Sequence, residues 1–250
     1  MKGDWPYPSI VAHRGGGRLA PENTLAAIRA GQSLGYRMHE FDVKLSRDGV
    51  AFLLHDTTLE RTTDGHGPAA ARTWEELARL DAGTWHSEAF RGEPPPRFEA
   101  AAQLLIARGT LANIEIKPSP GREAETGDRV ARLADGLWAQ ASVPPLLSSF
   151  SFDALMAAKS AVPRLPRGFI TSKLAPDDRE RLAALGAVSL HTNHRRVARH
   201  EVERLREAGY RVLLYTVDEP ERAEALFGWG ADGIFTDNLE VFAGRFPDRI

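Results

Sequence analysis

Short runs of apolar and β-branched residues alternate along the chain with longer stretches in which apolar residues recur every three or four positions. The short runs predict strands, and the periodic stretches predict helices. The predicted strands are residues 10–13, 38–45, 51–55, 111–117, 146–149, 167–171, 188–191, 212–217 and 233–236. The predicted helices are residues 23–34, 97–108, 123–140, 151–160, 176–185, 198–208 and 219–228. This alternation indicates a parallel sheet, and across 250 residues it predicts an α/β barrel closed by eight strands.

The ninth predicted strand is explained by the four-residue connection that precedes segment 51–55. Four residues cannot form a parallel crossover but can form a hairpin, so this segment is expected to return antiparallel to the strand before it. Pairing of Leu45 with Val50 would then place Glu40 opposite His55.

A region rich in glycine and proline, residues 57–96, interrupts the alternation and predicts an insertion on the loop side of the barrel. One short helix is expected within it, at residues 73–80. Trp74 and Trp85 are expected to form a small satellite core there. We therefore expect one barrel domain over residues 1–250, with this small insertion at about 57–96.

The composition limits the classes of protein to which the chain can belong. Hydrophobic residues make up 42% and charged residues 26%, which is enough apolar material for a sizeable core. The net charge of −2 predicts no general attraction to nucleic acid or anionic membranes, and the lack of cysteine excludes disulfides and thiolate zinc sites. Residues 1–9 contain no apolar run typical of a secretory signal, and no stretch is long enough to cross a bilayer. We expect a cytoplasmic protein without stable membrane association; the pattern indicates no particular oligomeric state.

Ionisable residues follow the ends of several predicted strands, which is where the active sites of α/β barrels lie. His13 and Arg14 follow the first strand; an imidazole there suits proton transfer, and a guanidinium suits a phosphate oxygen. The three glycines that come next would let backbone N–H groups approach an anion. On its own, this motif is equally well explained as a solvated turn.

Two carboxylates share one face of the second strand, because residues two apart on a strand point to the same side. Glu40 and Asp42 would repel each other there, and a hard divalent cation removes that conflict. An exposed acidic edge is the alternative, but Phe41 and Val43 give the opposite face an apolar character. His55, at the end of the hairpin, lies near the acidic pair in the expected register, although a lone histidine of this kind is more often structural.

A second pair of charged residues on one face, Glu115 and Lys117, lies on the strand at 111–117. Glu115 could complete a three-carboxylate metal site, and Lys117 would supply a fixed positive charge for a phosphoryl group. A buried salt bridge inside the barrel is the alternative. Together, two histidines, one arginine, one lysine and three carboxylates suit phosphodiester hydrolysis better than zinc amidohydrolysis, which usually needs several histidine ligands.

The motifs around these residues resemble those of the glycerophosphodiester phosphodiesterase family, over nearly the whole chain from about residue 10 to 237. The matching segments are AHRGG, APENT, EFDVKLSRDG, HD followed by LERTTDGHG, NIEIK, LLSSF and DGIFTD. The segments WPYPSIVAHRGGG, and LHTNH before YTVDEP, most resemble the small cytosolic bacterial members associated with glycerol 3-phosphate uptake.

The resemblance implies a TIM-type (β/α)8 barrel that hydrolyses glycerophosphodiesters to sn-glycerol 3-phosphate and an alcohol such as choline or ethanolamine. It implies that His13 and His55 are the acid–base pair, that Glu40, Asp42 and Glu115 bind a divalent metal, and that Arg14 and Lys117 contact phosphate. Oxygen ligands suit Mg²⁺ or Ca²⁺, and the expected cytoplasmic setting favours Mg²⁺. The attacking oxygen is either a water or the neighbouring glycerol hydroxyl, which would pass through a cyclic phosphate.

Two aromatic residues are candidates for substrate contact. Tyr215 stands where many members of the family carry tryptophan, and its added hydroxyl leaves the preferred alcohol open. Phe150 follows a strand and either lines the pocket or belongs to the core. His39 should face away from the acidic pair as a structural residue, and His191 ends a predicted strand without an assigned role.

Two other functions would use the same fold. Cleavage of larger lipids, as in phospholipase D-like relatives, would need an exposed apolar rim or a membrane-binding helix, and the sequence indicates neither. A catalytically silent phosphate-binding barrel is disfavoured because all seven motif residues are present.

Overall fold

The computed structural model describes residues 5–250. Residues 1–4 lie outside the described residues; they begin segment 1–9, which has no apolar run typical of a secretory signal. Strands and helices alternate along the described part. The strands are β1 (Ile10–Ala12), β2 (Met38–Leu45), β3 (Ala51–Leu53), β4 (Leu111–Ile116), β5 (Leu146–Ser149), β6 (Arg167–Thr171), β7 (Ser189–Asn193), β8 (Arg211–Tyr215) and β9 (Gly233–Thr236). The helices are α1 (Leu25–Ser33), α2 (Trp74–Leu77), α3 (Phe98–Ala107), α4 (Glu123–Leu137), α5 (Phe152–Ala161), α6 (Asp178–Leu185), α7 (Arg199–Glu207), α8 (Pro220–Gly228) and α9 (Leu239–Arg245).

Every strand except β3 belongs to a closed parallel barrel. Its order is β1, β2, β4, β5, β6, β7, β8 and β9, and β9 pairs again with β1. Helices connect successive barrel strands, so the predicted TIM-type (β/α)8 barrel is confirmed. Helix α9 is not among the predicted helices, because its seven residues are too few for a helical period to stand out.

The hairpin between β2 and β3 is antiparallel, as its short connection predicts, but its register differs by one residue. Leu45 pairs with Ala51 rather than with Val50. Ser46 extends the ladder, since its N–H donates to the carbonyl oxygen of Val50 and its hydroxyl accepts the Val50 N–H. The loop therefore shortens to three residues, with Gly49 at a φ of +78°.

The predicted placement of Glu40 opposite His55 is therefore wrong. β3 ends at Leu53, and the next backbone contact joins the Leu54 N–H to the carbonyl oxygen of Asp42 at 3.2 Å. His55 follows this contact, so its side chain is positioned by its own partners and not by strand pairing.

Helix α1 begins at Leu25, two residues later than predicted. Thr24 is its N-cap, with Oγ1 accepting the Ala27 N–H at 3.1 Å. Asn23 is buried at a φ of +58° and its side chain holds Asp42: Nδ2 donates to Oδ2 at 2.8 Å, and Oδ1 accepts the Asp42 N–H at 2.9 Å. The residue predicted to start the helix therefore fixes an acidic residue of β2.

The segment between β3 and α3, where an insertion is predicted, packs around a small apolar cluster. The cluster consists of Phe52, Leu54, Leu59, Ala69 and Leu77, with Trp74 and Leu80 packed against it. Trp85 lies outside this cluster and is 41% exposed, so its predicted place in a satellite core is wrong. Its indole N–H donates to the carbonyl oxygen of Ala82, which satisfies the ring's polar group at the surface.

Alternate residues of the barrel strands pack in two different layers. One set, which includes Phe41 and Ile114, packs against the helices in the main core. The other set, which consists of Val11, Met38, Leu146, Leu213 and Phe235, forms a separate apolar cluster with Tyr7 inside the barrel. Residues two positions further along these strands share the inward face and surround the open carboxyl end of the barrel. Within residues 5–250, no helix has both the length and the apolar character needed to cross a lipid bilayer.

Candidate active site

A hollow of about 270 Å³ lies at the carboxyl ends of the barrel strands. The predicted site residues that line it are His13, Arg14, Glu40, His55, Glu115, Lys117, Phe150 and Tyr215. Asp42, the remaining predicted residue, is 1% exposed and lies directly beside Glu115 on the neighbouring strand. The structure therefore brings all nine predicted residues into one place.

Three carboxylates converge in this hollow, two from β2 and one from β4. One ligand oxygen from each of Glu40, Asp42 and Glu115 lies within 4.8 Å of the others. Burial, and then the charge of Asp42, raise the pKa of Glu40 to about 8, and the same two causes raise the pKa of Glu115. These pKa shifts mean that burial and repulsion from Asp42 both disfavour the charged forms of Glu40 and Glu115.

Lys117 faces the carboxylates. Its Nζ lies 2.6 Å from Oε1 of Glu115 and 3.4 Å from Oδ1 of Asp42. Burial alone would lower the pKa of Lys117, but the two carboxylates raise it above its ordinary value. Burial alone would likewise raise the pKa of Asp42, which Lys117 and His55 hold well below its usual range. One ammonium cannot balance the three carboxylates when all of them are ionised, and three oxygen donors suit a hard divalent cation.

His13 lies between two carboxylates because β1 pairs with both β9 and β2. Its Nδ1 is 2.7 Å from Oδ1 of Asp237, and its Nε2 is 3.9 Å from Oε2 of Glu40. Burial lowers the pKa of His13, but the hydrogen bond to Asp237 and the charge of Glu40 outweigh burial and raise it. With Nδ1–H donating to Asp237, Nε2 is the nitrogen that faces the carboxylate cluster.

The loop after β1 depends on tight backbone packing. Arg14 adopts a φ of +49°, and its backbone N–H donates to Oε2 of Glu40 at 2.8 Å. A Cβ on Gly16 would lie 2.4 Å from the carbonyl oxygen of Ala27, so a larger residue does not fit there. The N–H of Gly15 donates to the carbonyl oxygen of Glu40, so this one of the three glycine N–H groups is not available to a bound anion. These glycines let the loop pack closely, and the carboxylate of Glu40 is the anion that the backbone binds.

His55 belongs to a chain of ion pairs along the rim of the hollow. Its Nδ1 lies 2.6 Å from Oδ1 of Asp56, and Asp56 also pairs with Arg61 at 2.6 Å. Arg61 reaches Glu22 at 2.7 Å, and Glu22 accepts from Nη1 of Arg14 at 2.7 Å. The insertion, through Arg61, therefore connects the residues around the two predicted catalytic histidines.

The two imidazoles have opposite electrostatic environments. Burial lowers the pKa of His55, and the nearby ammonium of Lys117 adds to this effect, while Asp42 opposes it. The pKa of His13 is raised instead, by its two carboxylate neighbours. Titratable groups whose pKa values are separated by their surroundings are typical of acid–base pairs.

Phe150 and Tyr215 form one wall of the hollow, with their rings in a T-shaped contact at 6.0 Å. Phe150 is 47% exposed and lies at the mouth, so it does not belong to the core. The Tyr215 hydroxyl donates to the carbonyl oxygen of Thr171 at 3.0 Å. Burial raises the pKa of Tyr215 to about 12, so this hydroxyl stays protonated and bonded to the backbone.

Several residues at the site are absent from the predicted set. Asp237 directly follows β9 in the DGIFTD segment, and this position after a barrel strand could have identified it as a site residue. Asn23 was predicted only to start a helix, because the local sequence does not indicate that its side chain contacts β2. Asn113 lines the hollow and donates to Oγ of Ser148, while its buried Oδ1 has no hydrogen-bond partner. His191 lies in the lining, and burial lowers its pKa to about 3, so it is neutral.

His39 lies on β2 beside the carboxylates but faces away from them, as predicted. Its Nδ1 contacts the carbonyl oxygen of Gly15 at 2.8 Å. A Cβ on Gly31 would lie 2.7 Å from the imidazole, which shows how closely the ring is packed against α1. Burial lowers the pKa of His39 to about 4, consistent with a neutral structural residue.

Residues 13–241 match the model of the glycerophosphoryl diester phosphodiesterase family. A glycerophosphodiester phosphodiesterase of Caldanaerobacter subterraneus subsp. tengcongensis is 32% identical over 236 residues, covering 93% of this chain and 95% of that protein. A phosphodiesterase of Oleispira antarctica has been solved in complex with the product sn-glycerol-3-phosphate. Its structure is similar to this one with a TM-score of 0.89, and the two sequences are 34% identical. The match covers 97% of this chain and 98% of the Oleispira antarctica chain. The glycerophosphodiester phosphodiesterase of Agrobacterium tumefaciens str. C58 has a TM-score of 0.77 and 29% identity, over 95% and 99% of the two chains. Since sequence and fold agree over nearly the full length, the chain belongs to the glycerophosphoryl diester phosphodiesterase family.

Proposed function

We propose that this enzyme hydrolyses glycerophosphodiesters to sn-glycerol 3-phosphate and an alcohol, with a divalent metal and two histidines. The observation that carries the proposal is the cluster of three carboxylates within 4.8 Å, two of which line the same hollow as His13 and His55. The similar Oleispira antarctica enzyme, which binds sn-glycerol-3-phosphate as its product, supports the choice of substrate.

Glu40, Asp42 and Glu115 would hold the metal. The donor set fits a hard cation, because it offers three carboxylate oxygens within 4.8 Å of one another. Burial and repulsion from Asp42 disfavour the charged form of Glu40 without a cation. A bound divalent cation would remove that repulsion and polarise the phosphoryl oxygens. We favour Mg²⁺ in the cytoplasmic setting that we propose; Ca²⁺ accepts the same oxygen ligands.

Arg14 and Lys117 would bind the phosphoryl oxygens, since both side chains line the hollow. Each is already held in place by a carboxylate, Glu22 for Arg14 and Glu115 for Lys117. Such pre-positioned charges stabilise negative charge that develops during the reaction without further rearrangement. Phe150 and Tyr215 would pack against the apolar carbon atoms of the substrate.

His13 and His55 would transfer the protons. Asp237 holds Nδ1 of His13 and Asp56 holds Nδ1 of His55, which leaves each Nε2 free for a reacting oxygen. One imidazole would take the proton of the attacking hydroxyl group, from water or from the neighbouring glycerol hydroxyl. The other would give a proton to the oxygen of the leaving alcohol, so that the alcohol departs neutral.

Release of glycerol 3-phosphate from glycerophosphocholine by EDTA-treated enzyme, before and after addition of Mg²⁺ or Ca²⁺, tests the proposal. We expect no release after EDTA treatment and recovery with one of the two metals. Folded protein that releases no glycerol 3-phosphate with either metal would contradict the assigned substrate class. Full activity in EDTA would contradict the metal requirement and leave the substrate assignment intact.

A further inference from the structure

A second hollow, of about 360 Å³, adjoins the first at the carboxyl end of the barrel. The residues His55, Glu115, Lys117 and Phe150 line both hollows, whereas Thr57 and Glu123 line only the second. The shared residues include a proposed metal ligand, a proposed phosphate ligand and a proposed proton donor or acceptor. The two hollows therefore meet where the phosphorus atom of a diester would lie, and each could take one of its two ester arms.

The first hollow is the more confined of the two. Its lining includes Asn113 and His191, which are both 1% exposed, and the Oδ1 of Asn113 is a buried acceptor without a partner. A glycerol hydroxyl would supply the missing donor, and glycerol is the part that all substrates of the proposed reaction share. The second hollow is bordered by the exposed side chains of Thr57 and Phe150, so it can admit groups of different size.

We infer that the second hollow binds the leaving alcohol of the diester and that Glu123 selects alcohols that carry a positive charge. This inference rests on the proposed function, because it assigns the second ester arm of that substrate. Glu123 is the first residue of α4 and accepts the Gly121 N–H at 3.1 Å. It takes part in no ion pair among residues 5–250, so its carboxylate is available to a ligand cation.

The other charged groups of the second hollow are already neutralised or bonded. Lys117 pairs with Glu115 at 2.6 Å. Lys44 is 2% exposed and its ammonium donates to the carbonyl oxygens of His55 and Lys117. The ring of Phe150 is 47% exposed, but the ammonium of Lys117 already lies over it, 5.4 Å from its centroid. Glu123 is therefore the group of this hollow that would attract a ligand cation. An unpaired carboxylate in the lining of this hollow favours choline or ethanolamine over a neutral or anionic alcohol.

The test compares kcat/KM for glycerophosphocholine with kcat/KM for glycerophosphoglycerol, whose leaving alcohol is neutral. In Glu123→Gln the ratio of the first value to the second should fall by about two- to fivefold, the range that exposed charge pairs provide. In Glu123→Lys it should fall further. Glu125→Gln is the matched control, because Glu125 lies on the same helix, pairs with Arg122 and is absent from the lining of either hollow. It should keep the wild-type ratio.

The outcomes separate this inference from the proposed function. A ratio that stays at the wild-type value in both Glu123 variants, while wild-type enzyme cleaves both substrates, overturns the inference and leaves the phosphodiesterase assignment standing. The same fall in Glu125→Gln also overturns it, because the effect would then be one of general surface charge. If folded wild-type enzyme with metal cleaves neither substrate, the proposed function fails, and the inference fails with it.

Discussion

Replacement of Glu40 by glutamine should stabilise the metal-free protein at alkaline pH. The pKa of Glu40 is raised from 4.5 to about 8, first by burial and then by the charge of Asp42. The folded protein therefore holds a proton on this group that the unfolded chain releases, and stability falls as pH rises from 4.5 towards 8. Each pKa unit corresponds to about 1.4 kcal/mol, so the cost is about 1 kcal/mol at pH 5 and about 4 kcal/mol at pH 8. A neutral glutamine avoids this cost and can still accept the Arg14 N–H.

Urea denaturation in EDTA at pH 5 and pH 8 measures the effect. Glu40→Gln should exceed wild type in unfolding free energy by about 4 kcal/mol at pH 8 and by only about 1 kcal/mol at pH 5. Glu180→Gln, at an exposed position on α6, is the control and should show no such pH dependence. Saturating divalent metal should reduce or reverse the difference, because it stabilises only the chain that binds it. An equal gain at both pH values, or none at pH 8, would falsify the reasoning that uncompensated charge destabilises this site.

Three further substitutions test the proposed roles. His13→Ala should lose about 10²- to 10⁴-fold in turnover while its circular dichroism spectrum stays that of wild type; near-normal turnover would remove His13 from the mechanism. Asp237→Asn should lower kcat by about 10- to 100-fold with a smaller change in KM, since it misorients an imidazole without removing it; a change confined to KM would contradict this. Glu115→Gln should lose more free energy of metal binding, measured by calorimetry, than free energy of unfolding; unchanged metal affinity would exclude Glu115 as a ligand.

Much of the barrel could be predicted because its determinants are local. Strand and helix periods are set by neighbouring residues, and a short connection restricts how two strands can pair. The carboxylate pair of β2 was predictable for the same reason, since residues 40 and 42 must share a face. These arguments need only the distance between residues along the chain.

The register of the hairpin shows where local argument ends. The hydroxyl and the backbone N–H of Ser46 both bond to Val50, which shortens the loop by one residue and moves every later pair. His55 nevertheless lines the hollow, because it lies beyond the ladder and is held by Asp56. His55 therefore lies among the other predicted site residues although the register behind that prediction was wrong, and its catalytic role stays a prediction.

The orientation of the site depends on contacts between residues that are far apart in the chain. Asp237 and His13 are 224 positions apart, and they meet only because the closing of the barrel pairs β9 with β1. Asn23 holds Asp42 because the loop before α1 packs onto β2. The sequence by itself determined which ionisable residues stand at the ends of the barrel strands, since this follows from local spacing. The tertiary structure alone decided which neighbouring groups orient these side chains and shift their pKa values, because these contacts form only when the barrel closes.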